Sequence, residues 1–436
     1  MKPSTSHPQP ASALPSPEDT LRAELPNGIV VLARANFNSP SVFLAGYLPA
    51  GSLFDPDEKL GLADFTAQAL MRGTARRSFQ QIYNVLETAG ANLGVDGGTH
   101  TAALGGRALA EDLPLILKLL AEVLCQPAFP LKPVERLRTQ LLTGLAIRAQ
   151  DTTEMASLAF DQLVYAGHPY SRPDDGYLET IQAITRDDLA AFHARHYGPR
   201  GMVLAIAGAV DPSRAVELVA QALGGWRNPQ QPDLPSLPPL TPLEGVVTRH
   251  VELPDKHEAD LVLGVAGPAR RSPDFLAASL GNHILGQFGM FGRIGKVVRE
   301  QAGLAYSVYS SLSGGIGPGP WMVSAGVAPG NIAQAIDLIR VEIARFVSQP
   351  VTVEELADSQ SCYIGRLPLS LESNAGVAGA LLSLERYQLG LDYYPRFAGL
   401  VRAITREDVL ETAGRYLHPD RLAIATAGTL PIDETA

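Results

Sequence analysis

Apolar residues along this chain recur in two periods. Met202–Val210 (MVLAIAGAV) and Arg421–Leu430 (RLAIATAGTL) are apolar at nearly every position. They have the length of strands and read as strands covered on both faces. Gly28–Ser52 (GIVVLARANFNSPSVFLAGYLPAGS) reads as two strands joined by a turn around Asn36–Pro40, and further strands are expected in His250–Gly267 and Ala305–Leu312. Elsewhere the period is helical. Leu113–Pro127 is a strongly apolar helix stopped by Pro127. Asn331–Val347 carries Ile332, Ile336, Ile339 and Ile343 along one stripe. Ser313–Trp321 (SGGIGPGPW) reads as a long hairpin-like loop.

One module is written twice. Ile184–Gly208 (ITRDDLAAFHARHYGPRGMVLAIAG) and Ile404–Gly428 (ITREDVLETAGRYLHPDRLAIATAG) align at a constant offset of 220 with nine of 25 positions identical. In each copy a threonine, Thr185 or Thr405, stands before a helix with acids in its first turn, as an N-cap does. The helix stops at Pro199 or Pro419 and a buried strand follows. Such a repeat argues for duplication. Six prolines between residues 229 and 242 exclude a helix or central strand there and mark a semi-rigid linker. The expected organisation is a disordered tail at 1–20, an N-terminal domain at 21–227, a linker at 228–245 and a homologous C-terminal domain at 246–436.

With 436 residues, 46% hydrophobic and 18% charged, the chain is long enough for two cores. A net charge of −10 leaves no basic footprint for nucleic acid. The first 20 residues hold five prolines and no apolar core of signal-peptide length, and no run of 18 apolar residues occurs. The expectation is a cytoplasmic protein with no membrane partner. Two cysteines, Cys125 and Cys362, exclude a disulfide scaffold.

Leu60–Arg72 has a helical stripe of Leu62, Phe65 and Ala69, with Gly73 as its stop. Asp64, Ala67 and Gln68, at i, i+3 and i+4, share a face. The surrounding AGSLFDPDEKLGLADFTAQALMRGT resembles the start of the pitrilysin/insulinase-type zinc peptidases, which include mitochondrial processing peptidase. Their inverted H-x-x-E-H motif would lie at Asp64, Ala67 and Gln68, and all three functional positions are replaced. A neutral amide is a poor zinc ligand, and alanine has no carboxylate to activate a water. The family's third ligand is a glutamate about 75 residues downstream, yet no glutamate occurs between Glu135 and Glu154. No metal site is expected in this chain.

The second half keeps what the first has lost. GRIGKVVREQAGLAYSVYSSL, Gly292–Leu312, is similar to the family's segment bearing an arginine and a tyrosine, and Arg299 and Tyr306 occupy those positions, seven residues apart. A guanidinium offers fixed donors that never lose their charge, and a phenol can donate to an oxygen that is becoming negative. From spacing alone both are equally ordinary: a cation in the last turn of a helix and a tyrosine on a strand. The resemblance implies an α+β protein of two homologous domains, each a mainly antiparallel sheet packed with helices, closing as a clamshell. It implies a non-catalytic subunit that binds unfolded peptides and donates Arg299 and Tyr306 to the site of a homologous partner, which would carry the zinc. The alternative is a scaffold or peptide-binding module without a protease partner.

Three features carry less. Gly289 and Gly292, in GQFGMFGRIG, fit a mobile segment lining the substrate cavity or a run that lets helices pack closely. His100 and Thr101 are candidates for a sheet edge to which an extended peptide adds. His193 and His196 have metal-compatible spacing, but their repeat counterparts are Ala413 and Tyr416, and a structural role is expected.

Overall fold

The structure, a computed structural model, describes residues 14–287 and 292–429. The first half runs β1 (Leu21–Glu24), β2 (Val30–Ala35), β3 (Ser41–Leu48), α1 (Leu62–Ala69), α2 (Phe79–Thr88), β4 (Asn92–Asp96), β5 (Ala102–Leu109), α3 (Leu113–Cys125), α4 (Leu131–Arg148), α5 (Thr152–Val164), α6 (Leu178–Ala183), α7 (Arg186–His196), β6 (Val203–Gly208) and α8 (Pro212–Leu223). The second runs β7 (Val247–Glu252), β8 (Ala259–Ala266), α9 (Phe275–Asn282), β9 (Ala305–Gly314), β10 (Pro318–Val327), α10 (Ile332–Ser348), α11 (Val353–Ser370), α12 (Asn374–Arg386), α13 (Tyr393–Ala403), α14 (Arg406–Tyr416) and β11 (Ala423–Gly428). Two π-helical segments, His283–Gln287 and Gly295–Gln301, follow α9.

The halves repeat one topology. The first sheet has the order β1-β2-β6-β3-β5-β4 and the second β7-β11-β8-β10-β9. In each, the strand from the duplicated module lies inside the sheet, parallel to one neighbour (β2 or β7) and antiparallel to the other (β3 or β8). The repeated N-caps are present in both copies: Thr185 with Asp188 and Thr405 with Asp408 form reciprocal capping boxes. The two strands read from Gly28–Ser52 exist as β2 and β3, but they are not neighbours, because β6 is inserted between them. Local turn chemistry joins strands in sequence; here the most apolar strand takes the fully buried position between them.

Every residue of β6 and β11 is buried, as their unbroken apolar pattern predicts. What covers their second face is a helix from the opposite half. Ala156, Ala159, Phe160 and Val164 of α5 pack on Val262, Ala423, Ala425 and Ala427 of the second sheet. Val377, Ala378, Leu381 and Leu384 of α12 pack on Leu32, Ala45, Val203 and Ala205 of the first. The N-termini of both exchanged helices are pinned to the first residues of a strand. Thr152 Oγ1 and Thr153 Oγ1 donate to Asp260 Oδ2 (2.6 and 3.0 Å), and Asn374 Nδ2 donates to the Ser41 carbonyl (3.2 Å). Arg22 and Glu385 add a bidentate pair (2.9 and 2.7 Å) at the far end of α12.

Three expectations need correction. Residues 14–20, assigned to a disordered tail, are ordered against the first sheet: Ser16 and Thr20 are buried, and Asp19 pairs with Arg34 (2.6 Å). Residues 1–13 lie outside the described residues. The proline-rich segment 228–245, expected as a semi-rigid linker, forms no helix or strand but packs along the protein. Gln231 is buried and exchanges hydrogen bonds with the backbone of Arg200 (3.1 and 2.9 Å), while Leu240 and Leu243 pack against the α5 cluster. The loop read at Ser313–Trp321 is mostly strand, since β9 and β10 continue to Gly314 and Pro318.

Exchanged helices make each half depend on the other. Leu381→Ala, at a fully buried site between α12 and the first sheet, should destabilise by about 2–5 kcal/mol, and chemical denaturation should show both halves lost in one transition. Asp161, on α5, gives a second expected outcome. Burial, with the nearby Asp174 carboxylate adding to it, pushes its pKa up to about 7. The unfolded carboxyl titrates near 4, so between roughly pH 4 and 7 the folded state holds a proton that the unfolded state has released. Stability therefore falls as pH rises through that window and stays lower above it. Asp161→Asn removes the titration, so thermal melts should show the variant more stable than the parent at pH 8 by about 1–3 kcal/mol, a gap that narrows steadily as pH falls and closes only near pH 4.

Candidate functional site

The helix α1 that carries the replaced motif is intact as a helix. Asp55 Oδ2 and Oδ1 accept from Gly61 N and Ala63 N (both 2.9 Å) at its start. This is a charge placed where helix amides have no partner of their own, although burial pushes the Asp55 pKa up to about 7. Leu62, Ala63, Phe65, Thr66, Ala67 and Ala69 are buried, so the helix is enclosed well beyond the stripe of Leu62, Phe65 and Ala69.

Asp64 and Gln68 have become a structural pair. Gln68 Nε2 donates to Asp64 Oδ2 (2.8 Å), and Gly97 N donates to Asp64 Oδ1 (3.1 Å). The approach of the β4–β5 loop is so close that a Cβ on Gly97 would collide with the Asp64 backbone. Burial pushes the Asp64 pKa up to about 6 against the opposing effect of the Gln68 amide. Ala67 is buried and brings no donor atom. On the neighbouring α4 the stretch where a glutamate ligand would fall presents Gln140, whose Oε1 accepts from Arg72 Nη2 (3.4 Å). Among the described residues no group of three or more His, Cys, Asp or Glu side chains is placed to hold a metal ion. These residues do not fit zinc: one position is apolar and two are spent on each other and on the backbone.

Arg299 and Tyr306 flank one rigid turn. Gly303 takes a left-handed conformation (φ +65°), and Gly303 N and Leu304 N return to the carbonyls of Arg299 and Val298 (3.1 and 3.0 Å). The chain thus leaves the π-helical segment and enters β9 within four residues. The segment itself is anchored by Arg293, whose guanidinium makes a two-pronged bond to Glu355 of α11 (2.7 and 2.8 Å) above the Phe346 ring. That pairing, before all else, holds the Glu355 pKa down at about 2. The Arg299 side chain is largely covered and lies 3.5 Å from Glu300. Tyr306 is 94% exposed on β9, the edge strand of its sheet. An exposed phenol on a sheet edge contributes nothing to a core and is available to a ligand.

The remaining candidates are placed differently. His100 and Thr101 fall in the β4–β5 loop, whereas the outer strand of that sheet is β4. Both are engaged with other elements. Tyr170 Oη accepts from Gly317 N of the second half (3.0 Å) and shares a hydrogen bond with His100 Nε2 (2.7 Å). Burial lowers the His100 pKa to about 4, which keeps the imidazole neutral. Thr101 Oγ1 accepts from Arg386 Nη2 of α12 (3.2 Å), and that guanidinium stacks on Tyr47 at 4.2 Å. The two residues therefore join the halves rather than line an edge. Gly292 packs against the backbone of Gly286, where a Cβ would lie 2.6 Å from the Gly286 Cα; this close approach favours the packing role over the mobile one. Gly289 lies outside the described residues. His193 Nε2 bonds to the Leu124 carbonyl (2.8 Å), and His196 stacks between Phe54 and Phe192, as structural histidines do. Sequence reasoning missed the Tyr170 bridge, because nothing local marks a tyrosine in a short 3₁₀ turn as a contact between halves.

Comparison with known proteins follows the same division of the chain. The profile described as insulinase (Peptidase family M16) matches residues 30–171, and that described as Peptidase M16 inactive domain matches residues 183–361. An uncharacterized zinc protease of Mycobacterium leprae is 28% identical over 353 residues, covering 81% of this chain and 79% of that one. Cytochrome b-c1 complex subunit 1 of Bos taurus is 26% identical over 283 residues, covering 64% of this chain and 58% of that protein. Among solved structures, a peptidase M16 inactive domain from Pseudomonas fluorescens superposes with a TM-score of 0.88 at 29% identity, covering 95% of this chain and 99% of the other. A protease from Helicobacter pylori gives 0.87 at 18% identity over 95% and 100%, which speaks for the fold alone. With both halves matched, the topology duplicated and the motif helix in place, the chain belongs to peptidase family M16, the insulinase family.

Proposed function

We propose that this chain is the non-catalytic, substrate-binding subunit of a two-chain zinc peptidase. The observation that carries the reading is the contrast between its two candidate sites. The motif helix is folded and buried, with Asp64 and Gln68 bonded to each other. Tyr306 stands almost wholly exposed on an edge strand beside a turn that also holds Arg299. Such a chain can bind an extended peptide but has no group of its own to activate water. In this reading zinc belongs to a homologous partner subunit, Arg299 holds backbone carbonyls of an unfolded peptide, and Tyr306 donates to the oxygen that gains charge. No helix among the described residues is long and apolar enough to cross a membrane, which is compatible with a cytoplasmic location.

A second reading is supported by one comparison. The matching cytochrome b-c1 complex subunit 1 is named as a component of a respiratory complex, and a chain without a zinc site could likewise serve as a scaffold. Adding the protein to a zinc-bearing M16 subunit from the same cell separates the two. Peptidase activity should rise on mixing, and Arg299→Ala or Tyr306→Phe should lower turnover of the mixture about tenfold or more. Because Tyr306 is exposed, its variant should melt at the parent temperature. Full activity of both variants would remove the proposed role, and failure of the chains to associate would favour the scaffold.

A further inference from the structure

A second surface lies on the outer side of the first half, on elements other than those that carry Arg299, Tyr306 and the emptied motif. A groove of about 770 Å³ runs between α3 and α8. Its floor is apolar, built from Ala121, Leu218, Ala222 and the half-buried Trp226, and its rim carries Arg76, Lys118 and Arg227. A second depression of about 420 Å³ adjoins it, sharing Arg76 and Lys118, and is lined further by Arg77, Gln81 and Asn84.

The charge in this track is one-sided. The single carboxylate among the lining residues is Glu122, and it is buried and already satisfied by Thr74 Oγ1 (2.5 Å) and Arg77. Among the described residues Arg76 and Lys118 make no ion pair, and both are exposed. The backbone that carries Arg76 is nevertheless held in place. Its own N–H donates to Thr74 Oγ1 (3.2 Å), and Ala75 N donates to the Gln126 carbonyl (2.9 Å). The amides add donors rather than acceptors. Gln81 Oε1 is taken by Ser78 N and Asn84 Oδ1 by Gln80 Nε2 (both 2.9 Å), so what each side chain still offers is its NH₂ group. A chain of net charge −10 thus carries a track of cations and N–H donors beside an apolar, tryptophan-bearing floor.

We propose that this track is a docking surface for an acidic peptide segment with an apolar anchor. The anchor seats on Leu218, Ala222 and Trp226, and flanking carboxylates meet Arg76 and Lys118, where charge complementarity supplies specificity. Two joined depressions suit an extended chain better than a compact anion. The proposal is independent of the peptidase reading, since it uses none of the same residues.

The test is a titration followed by tryptophan fluorescence. Trp321, the other of the two tryptophans, is 1% exposed, so a change on adding ligand reports Trp226. The probe is a capped hexapeptide of two leucines flanked on each side by two glutamates. The expected result is saturable binding that weakens about tenfold or more with glutamines in place of the glutamates and in the R76E/K118E variant. It should also fall with added salt and be unchanged in Tyr306→Phe. Absence of saturable binding, equal affinity for the glutamine peptide, or retention in the charge-reversed variant overturns the proposal. So does competition by inorganic phosphate or decanoate at the concentration of the peptide itself, which would mark a small-anion site instead.

Discussion

The structure depends on the need to bury a central strand on both faces. An apolar strand such as Val203–Gly208 or Ala423–Gly428 cannot leave either side to water, yet the helices α3 and α8 of its own half cover only one side of the first sheet. The other side is closed by a helix from the opposite half, α12 on the first sheet and α5 on the second. Two such exchanges, each pinned at a helix N-terminus and closed by apolar packing, turn a duplicated unit into a single cooperative body. The packed proline-rich strap and the Tyr170 bridge between His100 and Gly317 reinforce the same junction.

Much of this was legible in the sequence because it is local. The capping threonines, the stripe on Ile332–Ser348, the terminating glycine at 73 and the unbroken apolar runs each announce their own element. The partner of an element was not legible. Nothing in Thr152–Val164 says that its apolar face will meet a strand some 270 residues later, and the turn after Ala35 does not reveal that β6 will separate β2 from β3. Long-range pairing is decided by which faces remain uncovered after local structure has formed. That information belongs to the whole chain.

The candidate site divides along the same line. That α1 had lost its ligands could be read from three letters, because zinc chemistry fixes the residue types. That Asp64 would turn to Gln68 and to the amide of Gly97 could not, since the second contact comes from a loop whose approach is permitted only by glycine. His100 and Thr101, read as part of a sheet edge, lie on the β4–β5 loop, where the exchanged helix α12 and Tyr170 claim their polar atoms. The Arg299–Tyr306 segment came through with its local geometry intact, because helix end, glycine turn and strand start are all encoded within eight residues.

The central claim is that this polypeptide holds a peptide without any means of its own to hydrolyse it. Zinc content measured by mass spectrometry on the purified, isolated chain, after exposure to equimolar zinc and gel filtration, tests it most directly. The account predicts far less than one zinc per chain, with no dependence on Asp64 or Gln68. One tightly held zinc per chain that disappears in Asp64→Ala or Gln68→Ala would contradict it.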